Sequence, residues 1–187
     1  MWPWMQLLGF NLFWLLAVAW QQPAPLLGFL ALHGLFSPQR SRDLRLLPLA
    51  LAGCLLDALL WQLGLFEFAS GFPLWLALLW LGFALTLAHG LRWLLRLPRW
   101  QQALIGGVGG ASSYVTGAAM GAVQLPWGLG ISSAVLALIW AGWLPLLVWG
   151  MVKLHACDHV GIGDQKSRGA IKGASTNSST GSGTGAN

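Results

Sequence analysis

The stretch GCLLDALLWQLG, residues 53–64, places one carboxylate, that of Asp57, inside an apolar run that continues on both sides. Of the 187 residues in the chain, 56% are hydrophobic and 8% are charged. In an ordinary soluble domain about 25% of the residues are charged. A soluble core cannot enclose so much apolar surface. The composition therefore predicts a membrane protein, and the stretch around Asp57 predicts a membrane-spanning helix.

The tryptophans indicate the same class of protein, because the chain contains 13 Trp against one Tyr and Trp settles where hydrocarbon meets lipid headgroups. The net charge of +5 comes from short clusters of cations between long apolar segments. That pattern is typical of membrane topology, so we expect no nucleic-acid partner. Tryptophans stand where apolar runs begin or end at Trp2, Trp4, Trp20, Trp75, Trp93, Trp100 and Trp127.

Six apolar segments determine the predicted fold. A helix that rises about 1.5 Å per residue needs about 20 residues to cross about 30 Å of hydrocarbon. The connections between the segments are short and rich in turn-forming residues. We therefore expect an all-α integral membrane protein, a bundle of about six transmembrane helices with short connections. The segments are Trp4–Trp20, Pro23–Ser37, Leu44–Phe66, Pro73–Leu95, Ala103–Val123 and Leu129–Leu154.

The positions of the cations predict the orientation. If the six helices alternate in direction, all ten Lys and Arg residues fall on one side of the membrane. Cytoplasmic loops carry such an excess. We therefore expect a multi-pass membrane protein with both termini in the cytoplasm. The cations are Arg40, Arg42, Arg45, Arg92, Arg96, Arg99, Lys153, Lys166, Arg168 and Lys172.

The second segment leaves an alternative open. It corresponds to about 22 Å of helix and begins with Pro23 and Pro25. A re-entrant hairpin there would keep the arginines together and place the N-terminus outside. The small residues AVA at 17–19 resemble a signal-peptidase site. However, no Lys or Arg precedes them, so we expect the first segment to be retained.

The composition changes after Lys153, where the apolar segments end. Residues 173–187, GASTNSSTGSGTGAN, contain too little apolar surface to offset the entropy of ordering them. The sequence therefore predicts a six-helix transmembrane domain over residues 1–154. A flexible cytoplasmic tail is expected over residues 155–187, disordered from about residue 173.

Small residues form a stripe on the fifth segment, where Gly106, Gly110, Gly117 and Gly121 recur at helical spacing and include two GxxxG pairs. Another helix approaches closely along such a stripe. We expect it to pack within the bundle or, alternatively, to form the interface with a second copy or a partner membrane protein. Tyr114 lies beside the stripe and is a candidate ligand-binding residue, because its hydroxyl needs a partner at that depth.

Asp57 is the candidate functional carboxylate. It follows Arg45 by about 18 Å of helix, a little past the membrane midplane. A charged Asp costs at least about 3 kcal/mol there, so protonation or a polar partner must relieve the cost. Three interpretations stay open. Asp57 forms structural hydrogen bonds, with Tyr114, Ser112 or Ser113 as partners, or it is a catalytic or proton-exchanging group, or it is a tolerated polar residue that faces lipid.

Two histidines recur in similar phrases, LGFLALHGL at 27–35 and LGFALTLAHGL at 81–91. If the first two helix hairpins are related, His33 and His89 lie at comparable depths near the cytoplasmic surface. Such a pair suits acid and base catalysis or hydrogen bonding between helices. No third ligand occurs at a recognisable spacing, so we expect no metal site.

Arginines border these histidines. Arg40, Arg42 and Arg92 form a cationic rim that suits an anionic lipid headgroup, although the positive-inside rule alone also accounts for them. The sequence contains no Walker loop, no H-E-x-x-H, no G-x-S-x-G and no dinucleotide fingerprint. We therefore expect no cofactor, and enzymatic activity stays undecided.

Several of these sequence segments, taken together, resemble those of a known family. The run LHGLFSPQRSRDLRLLPLALAGCLLDALLWQLGLF includes G-x-x-x-D with Asp57, and the run FPLWLALLWLGFALTLAHGLRWLL includes T-L-x-H-x-L-x-W-L. They resemble the bacterial inner-membrane family called domain of unknown function 2878, over about residues 5–153. The resemblance implies a helical membrane protein connected with lipid or fatty-acyl modification.

The favoured function is thus a component of a membrane lipid or fatty-acyl modification pathway. Its partners would be membrane lipids, and its site would face the cytoplasm near His33 and His89. One alternative is a small proton-linked transporter or flippase that uses Asp57, and another is a non-catalytic membrane scaffold. The positions of the polar residues distinguish the enzyme from the transporter. An enzyme concentrates polar groups near one face of the membrane, whereas a transporter needs a polar route on both sides of Asp57.

The predicted topology is open to a direct test. A reporter that is active only in the periplasm should be silent when fused at Met1. A Gln21→Cys variant should react with a thiol reagent from outside, because six alternating helices place these two positions on opposite sides. An intact N-terminus in the periplasm would contradict the six-helix arrangement.

Overall fold

A computed structural model of the chain is all-helical over the residues that it describes. These are the backbone of residues 3–37 and 40–177, and the side chains of the same residues apart from 3–7, 42, 88–89 and 155–177. No strand is assigned in this part of the chain, which confirms the all-α prediction. The helices are α1 (Pro3–Trp20), α2 (Pro23–Phe36), the short α3 (Arg40–Leu44), α4 (Leu47–Gln62), α5 (Leu74–His89), a 3₁₀ helix (Arg92–Arg96), α6 (Arg99–Ala119) and α7 (Leu129–Asn177).

The helix ends differ from the predicted segments where the backbone turns. The third segment was expected to end at Phe66, but α4 ends at Gln62, because Gly64 adopts a left-handed conformation with φ of 72°. The fourth was expected to reach Leu95, but α5 ends at His89 and a separate 3₁₀ helix follows. Proline fixes the start of α6, because Pro98 directly precedes its first residue, Arg99.

Helix length bears on the predicted membrane crossings. Among the described residues, one helix, over Leu129–Leu154, is long and apolar enough to cross a membrane by length and composition. Helices α2, α4 and α5 have 14, 16 and 16 residues, which corresponds to about 21 to 24 Å. They are apolar but shorter than the usual span of about 20 residues.

The chain divides into two units, Met1–Met151 and Val152–Asn187. The first unit holds the helical bundle up to the middle of α7. Helical backbone is assigned as far as Asn177, past the point near residue 173 where the sequence predicts disorder. The flexible tail stays a prediction, because the side chains from residue 155 onward lie outside the described part of the chain.

Two stacked indoles join four helices in the core of the first unit. Trp80 of α5 and Trp140 of α7 lie parallel, with ring centroids 5.5 Å apart and an interplanar angle of 6°. Gly53 of α4 packs against the Trp80 ring and Gly110 of α6 packs against the Trp140 ring. A Cβ atom at either glycine would overlap an indole, so only glycine permits this approach.

The small residues of α6 lie against α7. Gly106 contacts the backbone carbonyl of Trp140 and the side chain of Leu144. Gly107, which the predicted stripe does not include, also lies close to α7, since a Cβ there would lie 3.0 Å from the Ala137 carbonyl oxygen. Such contacts are typical of helices that pack tightly through small residues.

Two glycines of the predicted stripe make no contact of this kind. A Cβ at Gly117 would meet Val123 at an ordinary 3.4 Å. Gly121 lies outside α6, in the turn that follows it, with φ of 75°. The prediction that Gly121 belongs to a helical stripe is therefore wrong, because the residue serves a turn that requires a left-handed backbone.

The loops after α4 and α6 meet at one end of the bundle. The backbone N–H of Glu67 donates to the Gln124 carbonyl at 2.9 Å, and the N–H of Gln124 donates to the Glu67 carbonyl at 2.9 Å. Phe66 is fully buried under this pairing and lies 5.3 Å from the Tyr114 ring, centroid to centroid. The paired loops close this end of the core.

Large apolar side chains cover the outer surface of the bundle. On α4, one face holds Leu47, Leu51, Leu55 and Leu59, which are 46% to 61% exposed. The opposite face of α4 is buried and includes Asp57. The helix is therefore inverted relative to a soluble amphipathic helix, because its polar group points inward and its leucines point outward.

A matched pair of alanine substitutions tests the close approach at the indole stack. Gly110→Ala should lower the stability of the purified protein by about 1 to 3 kcal/mol, because the added methyl group overlaps the Trp140 ring. Gly142→Ala on α7 is the control, since its Cβ would meet open space and should be neutral or slightly stabilising. Thermal unfolding in detergent measures both. Equal stability of the two variants would contradict the packing described for Gly110.

Candidate functional site

Asp57 receives two hydrogen bonds inside the bundle. Its side chain has 0% exposed surface. The indole N–H of Trp80 donates to Oδ2 at 2.6 Å, and the hydroxyl of Tyr114 donates to Oδ1 at 2.5 Å. The carboxylate of α4 is thereby joined to α5 and α6. Each of its oxygens has a donor, so the group is satisfied without water.

Of the partners that the sequence suggests for Asp57, only Tyr114 takes that role. The hydroxyl of Ser112 donates to the Gly109 carbonyl at 3.0 Å, within its own helix. The hydroxyl of Ser113 accepts a hydrogen bond from the Trp14 indole N–H at 2.9 Å, which connects α6 with α1. Trp80 is the partner that sequence reasoning missed.

A cavity of about 260 Å³ lies beside this cluster. Residues of α1, α4, α5, α6 and α7 line it, and the wall is largely apolar. Its polar side chains are Asp57, Ser113 and Tyr114, together with the indole nitrogens of four tryptophans. Aromatic residues supply much of the surface, namely Phe10, Trp14, Phe68, Trp75, Trp80, Phe83, Tyr114 and Trp140.

The lining of the cavity follows α6, and two of the residues that line it there are exposed. Its lining on α6 runs from Ile105 to Gly117, about 18 Å of helix. Ile105 and Gly109 both line the cavity and are exposed. Their neighbours Leu104 and Val108 are exposed apolar side chains. The opening thus lies on an apolar flank of the bundle and away from the helix ends.

The predicted histidine site lies elsewhere, where α2 meets α3. Asp43 Oδ2 accepts a hydrogen bond from the Ser37 hydroxyl at 2.5 Å and lies 3.5 Å from His33 Nε2. The Arg40 guanidinium donates to the Leu35 carbonyl at 2.5 Å, near the C-terminus of α2. These are local contacts of a connection, and none of these residues lines the cavity.

The rest of the predicted polar rim is described only in part. The side chains of Arg42 and His89 lie outside the described residues, so their predicted pairing with His33 stays a prediction. Arg92 is exposed on the 3₁₀ helix, between Leu91 and Leu94, which line one end of the cavity. Among the described residues no group of three His, Cys, Asp or Glu side chains is placed to hold a metal ion.

A signal for Trp80 was available in the sequence. The segment FPLWLALLWLGFAL carries two tryptophans. Trp75 stands near its start, where a membrane interface accounts for it, but Trp80 stands in its middle. An indole N–H at that depth needs an acceptor, and Asp57 is an acceptor at a comparable depth on the preceding segment.

The fold and the site define a class of protein: an all-helical bundle with one fully buried carboxylate beside an aromatic, largely apolar cavity. The chain belongs to the family described as protein of unknown function (DUF2878), whose model matches residues 3–146. The match includes every residue that lines the cavity. No curated protein and no solved structure matches the chain.

Substitutions of Asp57 test whether its side chain stabilises the protein through hydrogen bonds or is only a tolerated polar residue. Asp57→Leu should lower stability by about 1 to 3 kcal/mol for each unpaired donor, because the N–H of Trp80 and the O–H of Tyr114 both lose their acceptor. Asp57→Asn keeps one acceptor oxygen, so it should lose less stability than Asp57→Leu. Thermal unfolding of the two variants beside the original protein gives the comparison. An Asp57→Leu variant that is more stable than the original protein would refute the role.

Proposed function

We propose that the protein is a multi-pass integral membrane protein of the bacterial inner membrane that binds a membrane lipid in the cavity. On this proposal it serves a membrane lipid or fatty-acyl modification pathway, with both termini in the cytoplasm. The observation that carries the proposal is the apolar cavity that opens at the middle of α6, between exposed apolar side chains.

The outer surface supports the membrane setting. Exposed leucines follow one another along α4 from Leu47 to Leu59, and a soluble monomer rarely exposes so large a continuous apolar face. Several cations lie next to the apolar helices, in α3, in the turn after it and in the 3₁₀ helix; they include Arg40, Arg45 and Arg96. Hydrocarbon around the helices and water at the arginine-rich connections would satisfy both groups.

The position of the opening supports a lipid as the ligand. A water-soluble ligand would enter from a helix end, where the chain meets water. Ile105 and Gly109 instead bring the cavity to the side of α6, which would face hydrocarbon in a membrane. A molecule already dissolved in the bilayer reaches such an opening without crossing water. The largely apolar wall suits one hydrocarbon chain.

The alternatives receive less support from the described residues. A proton-linked transporter needs polar groups on both sides of Asp57. The cavity wall is apolar at Leu91 and Leu94 toward one end, and at Phe68 and Val123 toward the other. A scaffold protein would dimerise through the small residues of α6. Part of that surface is already occupied within the bundle, because Gly106 and Gly110 pack against α7.

The test is a substitution that places a large side chain at the opening of the cavity. Gly109→Phe should reduce the lipid that copurifies with the protein by roughly tenfold, the effect of about 1.4 kcal/mol. The phenyl ring would occupy the mouth, where a Cβ meets nothing within 4 Å. Gly142→Phe is the matched control, since Gly142 is exposed on α7 and does not line the cavity.

Bound lipid is measured by extraction and mass spectrometry of protein purified in a mild detergent. The proposal predicts that the Gly142→Phe control retains its lipid and that both variants keep their thermal stability. Equal lipid content in the two variants and in the original protein would refute binding in this cavity.

A further inference from the structure

The side chains around Asp57 differ in how much of them the cavity exposes. Asp57 forms part of the wall, yet none of its surface is exposed. Tyr114 also lines the cavity and is partly exposed. Both polar groups line the cavity, and the Tyr114 hydroxyl covers Asp57 Oδ1 because it donates its hydrogen there.

The Tyr114 hydroxyl is oriented as an acceptor. Its one hydrogen is donated to Asp57 Oδ1. A phenol oxygen whose hydrogen is used in this way offers lone pairs to other groups. Asp57 is in turn held by the Trp80 N–H at 2.6 Å. Asp57 is thus a positioning residue, which fixes the direction of the Tyr114 hydrogen.

Two hydrogen-bond donors without acceptors line the same cavity. Ser113 accepts from Trp14, and its own O–H has no acceptor among the described residues. Trp140 is buried, and its indole N–H makes no hydrogen bond within the described part of the chain. That N–H lies close to the Tyr114 hydroxyl but outside hydrogen-bonding geometry. A buried donor without a partner is unfavourable and is satisfied when a ligand supplies an oxygen.

We propose that the lipid bound in the cavity carries a hydroxyl group, and that this group donates to Tyr114 and accepts from Ser113 or Trp140. This inference rests on the proposed function. A hydroxyl group has one hydrogen, which Tyr114 can accept. It also has two lone pairs, which can accept hydrogen bonds from the two donors Ser113 and Trp140. An ammonium group only donates and leaves both donors unsatisfied. A carboxylate only accepts, so its oxygen would face the Tyr114 oxygen and the negative charge of Asp57.

Four molecules with the same chain length test the inference. Decanol, decane, decylamine and decanoate are titrated into the full-length protein in phosphatidylcholine nanodiscs, with intrinsic tryptophan fluorescence as the signal. Affinities are corrected for partition into empty nanodiscs. Decanol should bind about tenfold more tightly than decane, since new hydrogen bonds to buried donors supply that factor. Decylamine and decanoate should bind more weakly than decanol.

Variants of the protein test which side chains cause the preference for decanol over decane. Ser113→Ala should reduce the ratio of decanol to decane affinity several-fold. Ser112→Ala is the matched control and should leave the ratio unchanged, because Ser112 does not line the cavity. Tyr114→Phe should abolish most of the preference. Asp57→Asn keeps an acceptor for the Tyr114 hydrogen and should retain part of the preference, and decane binding should survive in this variant.

The measurements on the original protein decide the inference even if a variant fails to fold. Equal binding of decanol and decane would overturn the hydroxyl assignment and leave the lipid cavity in place. Tightest binding of decylamine would overturn it in favour of a cation paired with Asp57. No saturable binding of any of the four molecules would defeat both the hydroxyl assignment and the proposed function.

Discussion

The carboxylate of Asp57 is the one group that α4, α5 and α6 share. In a largely apolar interior a carboxylate needs donors, and each donor must come from a side chain that reaches it in a fixed direction. Trp80 and Tyr114 meet that requirement from two other helices. The stack of Trp80 on Trp140 then extends the constraint to α7. The relative rotation of four helices is thus tied to one acceptor.

The same constraint explains where the glycines lie. A bulky indole fits between two helices only where the facing residue has no side chain. Gly53 and Gly110 meet this condition on either side of the stack, and Gly82 meets it for Phe13. The cavity has a related origin, because Gly109 leaves space on α6 that the aromatic rings of α1 and α5 do not fill. Rigid rings border the space and keep it from collapsing.

Much of the fold could be predicted from the sequence, because the length of an apolar run and the punctuation of Pro and Gly are local properties. Each predicted segment corresponds to one helix, and the inward placement of Asp57 follows from the cost of a charge in hydrocarbon. The partner Tyr114 was among the expected ones because its hydroxyl needs a hydrogen-bond partner at that depth. These inferences need no knowledge of how the helices pack.

The site itself could be predicted only in part, because it depends on contacts between distant segments. Trp80 is one of 13 tryptophans, and only the rotation of α5 distinguishes it from those expected at an interface. The cavity arises from space left between α1 and α6, which no local pattern reveals. The histidine phrases drew attention to His33 through their similarity, yet its described ion-pair contact is with Asp43 across a short connection. The prediction that His33 and His89 share a site stays a prediction, because the side chain of His89 lies outside the described residues.

The short helices have a consequence for the membrane around the protein. At about 21 to 24 Å, α2, α4 and α5 fall short of a hydrocarbon layer about 30 Å thick, whereas α6 has 21 residues, about 31 Å. In the proposed setting, the bilayer would be compressed where its lipids contact the short helices. Those lipids would be thinned and disordered, while lipids beside the longer helices would keep their normal extension. The protein would thereby hold an asymmetric lipid shell.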